Sequence, residues 1–302
     1  MARLLWYIGL SLLIPPLLIG IIAKTKAALT GRVGAPVLQP YYDLWKLMQK
    51  GAVYSQTTSW LFRAGPVVSL AALLCAALLI PLGAGAMPLS FWGDVISWAY
   101  LLGMARLVIV LAAMDTGSSF EGMGASREVA FASLAEPALF VALALIAKET
   151  GSLQLSTMFG PGLVLTWHEA GSALALAAAS LFLVLLAENA RMPVDDPTTH
   201  LELTMIHEVM VLDHSGPDLA FILCGSALKL FLFGILLVRL LIPVRFELPW
   251  VNASALLAGL VALAMVIGAV EASMARLRLI RVPQLLVTAC VLAAVGILLV
   301  WS

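Results

Sequence analysis

Continuous apolar runs long enough to cross a lipid bilayer recur along this chain and constrain its fold more than any other feature. A helix of about 20 apolar residues spans the hydrocarbon core at a rise of 1.5 Å per residue. Eight such runs occupy residues 4–23, 66–83, 95–114, 129–147, 170–187, 219–242, 251–270 and 283–301. In lipid every backbone N–H and C=O must be satisfied within the protein, which leaves helices and closed barrels. Barrel strands alternate apolar and polar residues, whereas these runs are unbroken. The chain therefore reads as an all-α integral membrane bundle of about eight transmembrane helices, forming a single domain over residues 1–302. The composition fits: 62% of residues are hydrophobic and 11% charged, against about 45–50% and about 25% in soluble domains. Seventeen basic residues balance seventeen acidic ones, so no basic excess is present to release counterions from a nucleic acid.

The first run lacks a small-residue cleavage site and is read as a retained helix, kinked at Pro15–Pro16. Eight spans put both termini on one side. The connections on the other side hold Lys24, Lys26, Arg32, Lys46, Lys50, Arg63, Arg127, Arg191, Arg276, Arg278 and Arg281; the terminal side holds Arg3, Lys148 and Arg245. The positive-inside rule then predicts both termini outside and the large connections in the cytoplasm of a prokaryotic inner membrane. Cys75, Cys224 and Cys290 each stand alone in apolar runs, without the paired spacing that thiolate zinc or iron–sulfur sites need. No metal site and no catalytic residue is expected in this chain.

Three polar segments carry the chemistry. Residues 31–51 begin as a Gly/Pro-rich loop and then become an amphipathic helix from Tyr41. Tyr41, Leu44, Trp45, Leu47 and Met48 are expected on one side and Asp43, Lys46 and Lys50 on the other, as an interfacial anchor or a cavity wall. Residues 115–137 start as a flexible Gly/Ser stretch; Arg127 and Glu128 read as a solvated pair, while Glu136 falls inside an apolar run just before Pro137. A carboxyl at such depth marks an ion or proton path, or else a structural partner for Arg106 or Lys229. In residues 187–216, Glu188 and Arg191 are spaced to pair on one helical face. Pro193 ends that helix, and Asp196, Thr199 and Glu202 fit the start of another. His200, His207 and His214 recur every seven residues, too far apart along a helix to share one metal. They read as surface histidines or as proton relays. Glu271, followed by Arg276 and Arg278, is expected to pair with one of them at the interface.

Together these segments resemble the membrane-subunit family shared by respiratory complex I, as its subunit 1, and the energy-converting NiFe hydrogenases. The resemblance rests on Arg32, Gly34, Leu38-Gln39-Pro40, Asp43 and Lys46-Leu47. It continues through Asp115 to Ser118, Gly124 to Glu128 and Glu136-Pro137. Glu188, Arg191, Pro193, Asp195, Glu202 and Leu203 follow, and Glu271 to Arg278 close it. The second and last of these are similar to the formate hydrogenlyase and hydrogenase-4-like branch. Thr198 and His200 stand where the complex I subunits carry acids beside their quinone cavity, which argues against a conventional quinone site.

The resemblance implies a membrane anchor and coupling subunit. Its partners would be the hydrogenase small and large subunits, an iron–sulfur subunit and antiporter-like membrane subunits. The NiFe centre and the clusters would lie in those partners and no cofactor in this chain. Glu136, Glu188, Asp195, Glu202, Arg191, Arg106 and Lys229 would form the proton path. Arg32, Gln39, Asp43, Lys46, Asp115, Arg127 and Glu128 would serve docking or wall a cavity. A quinone-binding subunit and a stand-alone secondary transporter are the competing readings.

Overall fold

The computed structural model describes residues 2–82, 89–195, 205–243 and 248–301. The spanning helices are α1 (Ala2–Leu29), α3 (Trp60–Leu78), α4 (Asp94–Asp115), α5 (Ser119–Thr150), α7 (Leu163–Glu188), α8 (Gly216–Leu241), α9 (Pro249–Ser273) and α10 (Val282–Trp301). Between them lie two shorter helices, α2 (Gln39–Met48) and α6 (Leu155–Met158), and 3₁₀ turns at Glu208–Val211 and Leu279–Arg281. Eight of the helices are long and apolar enough to cross a membrane, and the described residues contain no strand. The chain is a multi-pass membrane bundle.

Helix ends depart from the apolar runs where backbone hydrogen bonding continues through polar residues. α5 begins at Ser119, ten residues before the predicted span. The Gly/Ser stretch beyond Gly117 is thus helix rather than flexible loop. Its 32 residues make a rod of about 48 Å, longer than the hydrocarbon core of about 30 Å, so the excess carries Glu121 and Arg127 past one end. α7 starts at Leu163, but its backbone leaves helical geometry at Ala170 (φ −126°, ψ 35°), the position at which the apolar run predicted a start. α3 starts early because the Ser59 hydroxyl accepts from the Leu61 amide at 3.2 Å. α1 runs through Pro15–Pro16 as one continuous helix.

α8 is the centre of the bundle. It packs on α1, α2, α3, α7 and α9, and 72% of its spanning window is buried, against 22% for the last span. Small residues let backbones approach where lipid supplies no hydrophobic drive between helices. A Cβ on Gly65 would meet Val108 of α4, one on Gly268 would meet Ile22 of α1, and one on Gly296 would meet Ala173 of α7.

α2 lies against α1 and α8. The Tyr41 hydroxyl donates to the Leu13 carbonyl of α1, and Gly20 leaves room for the Val37 carbonyl. Its inner edge is Tyr41, Leu44 and Leu47, whereas Trp45 and Met48, expected on that side, are exposed together with Tyr42.

Candidate functional site: a buried ion-pair chain

Four spanning helices each contribute a charge to one point in the interior. Arg106 of α4 is the hub. Its Nη2 donates to both oxygens of Glu188 at the end of α7 (2.7 and 2.6 Å), and its Nη1 to Glu136 Oε1 of α5 at 2.7 Å. Its Nε lies 3.5 Å from Glu128 Oε1. Lys229 of α8 reaches Glu188 Oε2 at 2.7 Å. Glu128 and Glu136 are eight residues apart, about 12 Å along the helix axis, and the long side chains close that gap around one guanidinium.

The Glu188 side chain is 3% exposed and Lys229 14%, while Glu136 retains 46%. Taking such charges out of water costs several kcal/mol per ion unless each is paired. Every member of this group is paired, and the carboxylates outnumber the cations by three to two. A cavity of about 50 Å³ lies beside the chain, lined by Arg106, Glu128, Glu188, His207 and Lys229 among others. At roughly 10–15 Å³ per ordered water it has room for a few molecules, far less than the several hundred Å³ of a typical small-molecule site. A smaller void of about 20 Å³ is lined by the same two carboxylates, Glu128 and Glu188, with Val194 and Ile206.

A second ionic group sits at the ends of α1, α7 and α9. Glu271 is held by Arg191 Nη1 at 3.3 Å and by Lys26 Nζ at 3.8 Å. Asp195 Oδ1 pairs with Arg276 Nη2 at 2.6 Å, and its Oδ2 accepts from the amides of Ile206 (3.0 Å) and His207 (3.4 Å). Asp195 thereby anchors the chain just before the Glu208–Val211 turn. The pairings expected from spacing do not form. Arg191 lies beyond the end of α7, after Ala190 in the left-handed region (φ 47°), so it leaves the Glu188 face and meets α9. Arg276 goes to Asp195 instead of Glu271. Nor is Glu128 in a solvated pair with Arg127, whose Nη1 donates to the Met205 carbonyl at 3.0 Å; it belongs to the buried chain.

Of the residues expected to share a proton path, Arg106, Glu136, Glu188 and Lys229 meet directly. Asp195 and Arg191 belong to the second group. Glu202, with Asp196, Thr199 and His200, lies outside the described residues. Arg32, Asp43 and Lys46 are exposed and the Gln39 amide donates to Asp43 Oδ1 at 2.9 Å; none of these four joins the ionic groups. Asp115 accepts from the Ser59 amide at 2.6 Å and ties α4 to the start of α3.

The histidine repeat does not lie on one helix, because His207 precedes a 3₁₀ turn and His214 precedes α8. His214 is 4% exposed and stacks on Phe62 with ring centroids 4.0 Å apart. Burial lowers its pKa below the ordinary histidine value, while Asp218 and Asp213 pull the other way. Burial likewise lowers His207. Glu121, fully buried, accepts from the Asp213 amide at 3.0 Å. Its place on the early part of α5 was hidden by the glycines around it. Among the described residues no group of three or more His, Cys, Asp and Glu side chains has the arrangement of a metal site, and the cysteines are unpaired.

Fold and site define a class: a multi-pass helical membrane protein with an ion-pair chain and a small polar cavity inside its bundle. The NADH dehydrogenase family model matches residues 2–302, and the chain belongs to that family. It is 32% identical over 285 residues to formate hydrogenlyase subunit 4 of Escherichia coli (strain K12), covering 90% of this chain and 89% of that one. It is 32% identical over 233 residues to hydrogenase-4 component C of the same strain (77% and 72%). It is also 27% identical over 219 residues to a subunit of the NADH-quinone oxidoreductase of Anaplasma phagocytophilum (strain HZ), covering 68% and 63%. In fold the chain is similar to a chain of the membrane-bound sulfane sulfur reductase, an archaeal respiratory membrane complex. The TM-score is 0.83 at 22% identity, covering 99% of this chain and 98% of that one.

Proposed function

We propose that this chain is the membrane anchor and proton-coupling subunit of an energy-converting NiFe hydrogenase of the formate hydrogenlyase or hydrogenase-4 type. The observation that carries this reading is the chain Lys229–Glu188–Arg106–Glu136, with Glu128 beside it, running across four helices next to a cavity of water size. Ionisable side chains are retained in lipid where a path or a partner requires them. The two hydrogenase relatives support the assignment to that branch. The cavity of about 50 Å³ beside the ionic chain has room for water but not for a quinone.

In this reading the electron-transfer arm docks on the α2 end, where Arg32, Asp43, Lys46 and the exposed Tyr42, Trp45 and Met48 present a mixed polar and aromatic surface. That end faces the cytoplasm, in line with its excess of Lys and Arg. Redox chemistry in the arm changes the charge above the ionic chain, and the chain answers by moving protons toward neighbouring membrane subunits.

The test is coupled turnover in proteoliposomes that hold the complete complex, read per assembled complex. Glu136→Gln and Glu188→Gln should keep hydrogen chemistry at the partner subunits and lose most of the proton translocation linked to it. Wild-type translocation in both variants would overturn the reading.

A further inference from the structure

The ion-pair chain raises a question of access. Glu188 is locked between two cations, and Arg106 and Lys229 are committed to it. A proton arriving from the α2 end needs a group that touches both solvent and the cavity, can take up and release a proton, and is not already engaged in an ion pair. Among the described residues that line the cavity, one side chain fits: His207, which is half-buried and shares the cavity wall with Glu128 and Glu188.

Resting on the coupling reading above, we infer that His207 is the proton port of the buried ionic chain, passing protons between the α2 end and the water-sized cavity beside Glu128.

The placement of the imidazole is built in. His207 opens the 3₁₀ turn Glu208–Val211, and its amide is held by Asp195 Oδ2, which Arg276 fixes from the other side. Behind the turn α5 approaches closely: a Cβ on Gly124 would meet Val209, Met210 and the Ile206 carbonyl. The backbone bearing the histidine is thus clamped on two sides, and the residue lines the cavity.

The charges around the ring come from every element packed against it. Glu128 of α5 and Asp195 favour the imidazolium; Lys229 of α8 and Arg106 of α4 oppose it, and burial opposes it further. Burial and the two cations together outweigh the two carboxylates and favour the neutral ring at rest, so a proton that it takes up is readily given on. The step balances. A proton binds the free nitrogen of the neutral ring, the proton on the other nitrogen passes through cavity water to the Glu128 carboxylate, and the ring returns to its first tautomer by flipping. The net transfer is one proton from solvent to Glu128, which becomes neutral, while the ring ends as it began.

The test uses the complete complex in proteoliposomes, with coupled proton uptake measured from pH 5.5 to 8.5 for wild type, His207→Gln, His207→Ala and Glu188→Gln. His207→Gln should lower uptake about tenfold or more at neutral pH and flatten its pH profile. Millimolar imidazole in the buffer should restore uptake in His207→Ala and leave Glu188→Gln inactive. If His207→Gln impairs assembly, His207→Asn is read in its place, each rate being normalised to assembled complex. A wild-type rate and pH profile in the His207 variants, with Glu188→Gln uncoupled, overturns the port and leaves the coupling reading standing. Wild-type coupling in Glu188→Gln overturns the coupling reading itself.

Discussion

Removing the carboxylate of Glu188 leaves a cation stranded in the bundle, and the cost follows from the contacts. Among the described residues Lys229 reaches no other carboxylate, its Nζ lying 2.7 Å from Glu188 Oε2, whereas Arg106 keeps Glu136 and Glu128. Breaking a buried pair by removing one partner costs about 3–5 kcal/mol, while removing both partners is often close to neutral. Glu188→Gln should therefore destabilise the chain by about 3–5 kcal/mol. Lys229→Met, which keeps the apolar stem and leaves Glu188 its two bonds from Arg106, should cost less, about 1–2 kcal/mol. The double variant should fall well short of the sum, with a coupling energy of about 2 kcal/mol or more. Thermal unfolding of the detergent-purified chain, followed by tryptophan fluorescence, reads all four corners of the cycle. Single-variant losses that simply add would refute the claim that this pair is one energetic unit.

Two further outcomes test the packing around the site. His214, stacked on Phe62 with Asp213 and Asp218 as its neighbouring titratable groups, has a folded-state pKa below the ordinary 6.5. The unfolded chain then binds the proton first, so this contribution is complete above about pH 6.5 and is lost as the pH falls toward the folded value. Hydrogen-exchange protection factors over residues 209–218, corrected for the intrinsic exchange rate, should fall on acidification in wild type and lose that dependence in His214→Phe; a pH-independent protection in wild type would refute it. A Cβ at Gly20 would sit 1.9 Å from the Val37 carbonyl oxygen, so Gly20→Ala should push α2 off α1 at a cost of about 1–3 kcal/mol. Limited proteolysis within residues 31–51 should speed up, and an unchanged rate would show that α2 is not seated this way.

The spans were legible because an apolar run of about 20 residues has one solution in lipid, and all eight are helices. Their ends were not, because main-chain hydrogen bonding ignores side-chain polarity: α5 continues outward through Glu128, Arg127, Gly124 and Glu121. The residues of the ionic chain stood out as charges within or at the edges of apolar runs, except Glu128, whose neighbour Arg127 offered a local explanation. Pairings were misread wherever sequence spacing stood in for space. Glu188 with Arg191, Glu271 with Arg276 and the histidine repeat all assume a continuous helix, and the chain breaks helix at Asn189 and Ala190, at Met274 and around the 3₁₀ turn. For α2 the amphipathic pattern was right but its inner edge was not. That edge is set by Tyr41 and Val37 contacting α1, which no local pattern encodes.

With all groups ionised, Arg106 and Lys229 face Glu128, Glu136 and Glu188, one negative charge in excess. An excess charge is far more costly in a medium of low dielectric than in water, and one proton delivered to the group brings it to neutrality. The backbone leads from Glu188 out of α7 to Asp195, whose Oδ2 accepts from the His207 amide. Loading a proton therefore changes the charge at one end of the segment whose other end holds the histidine, a direct physical route by which protonation inside the bundle is felt beyond the end of α7.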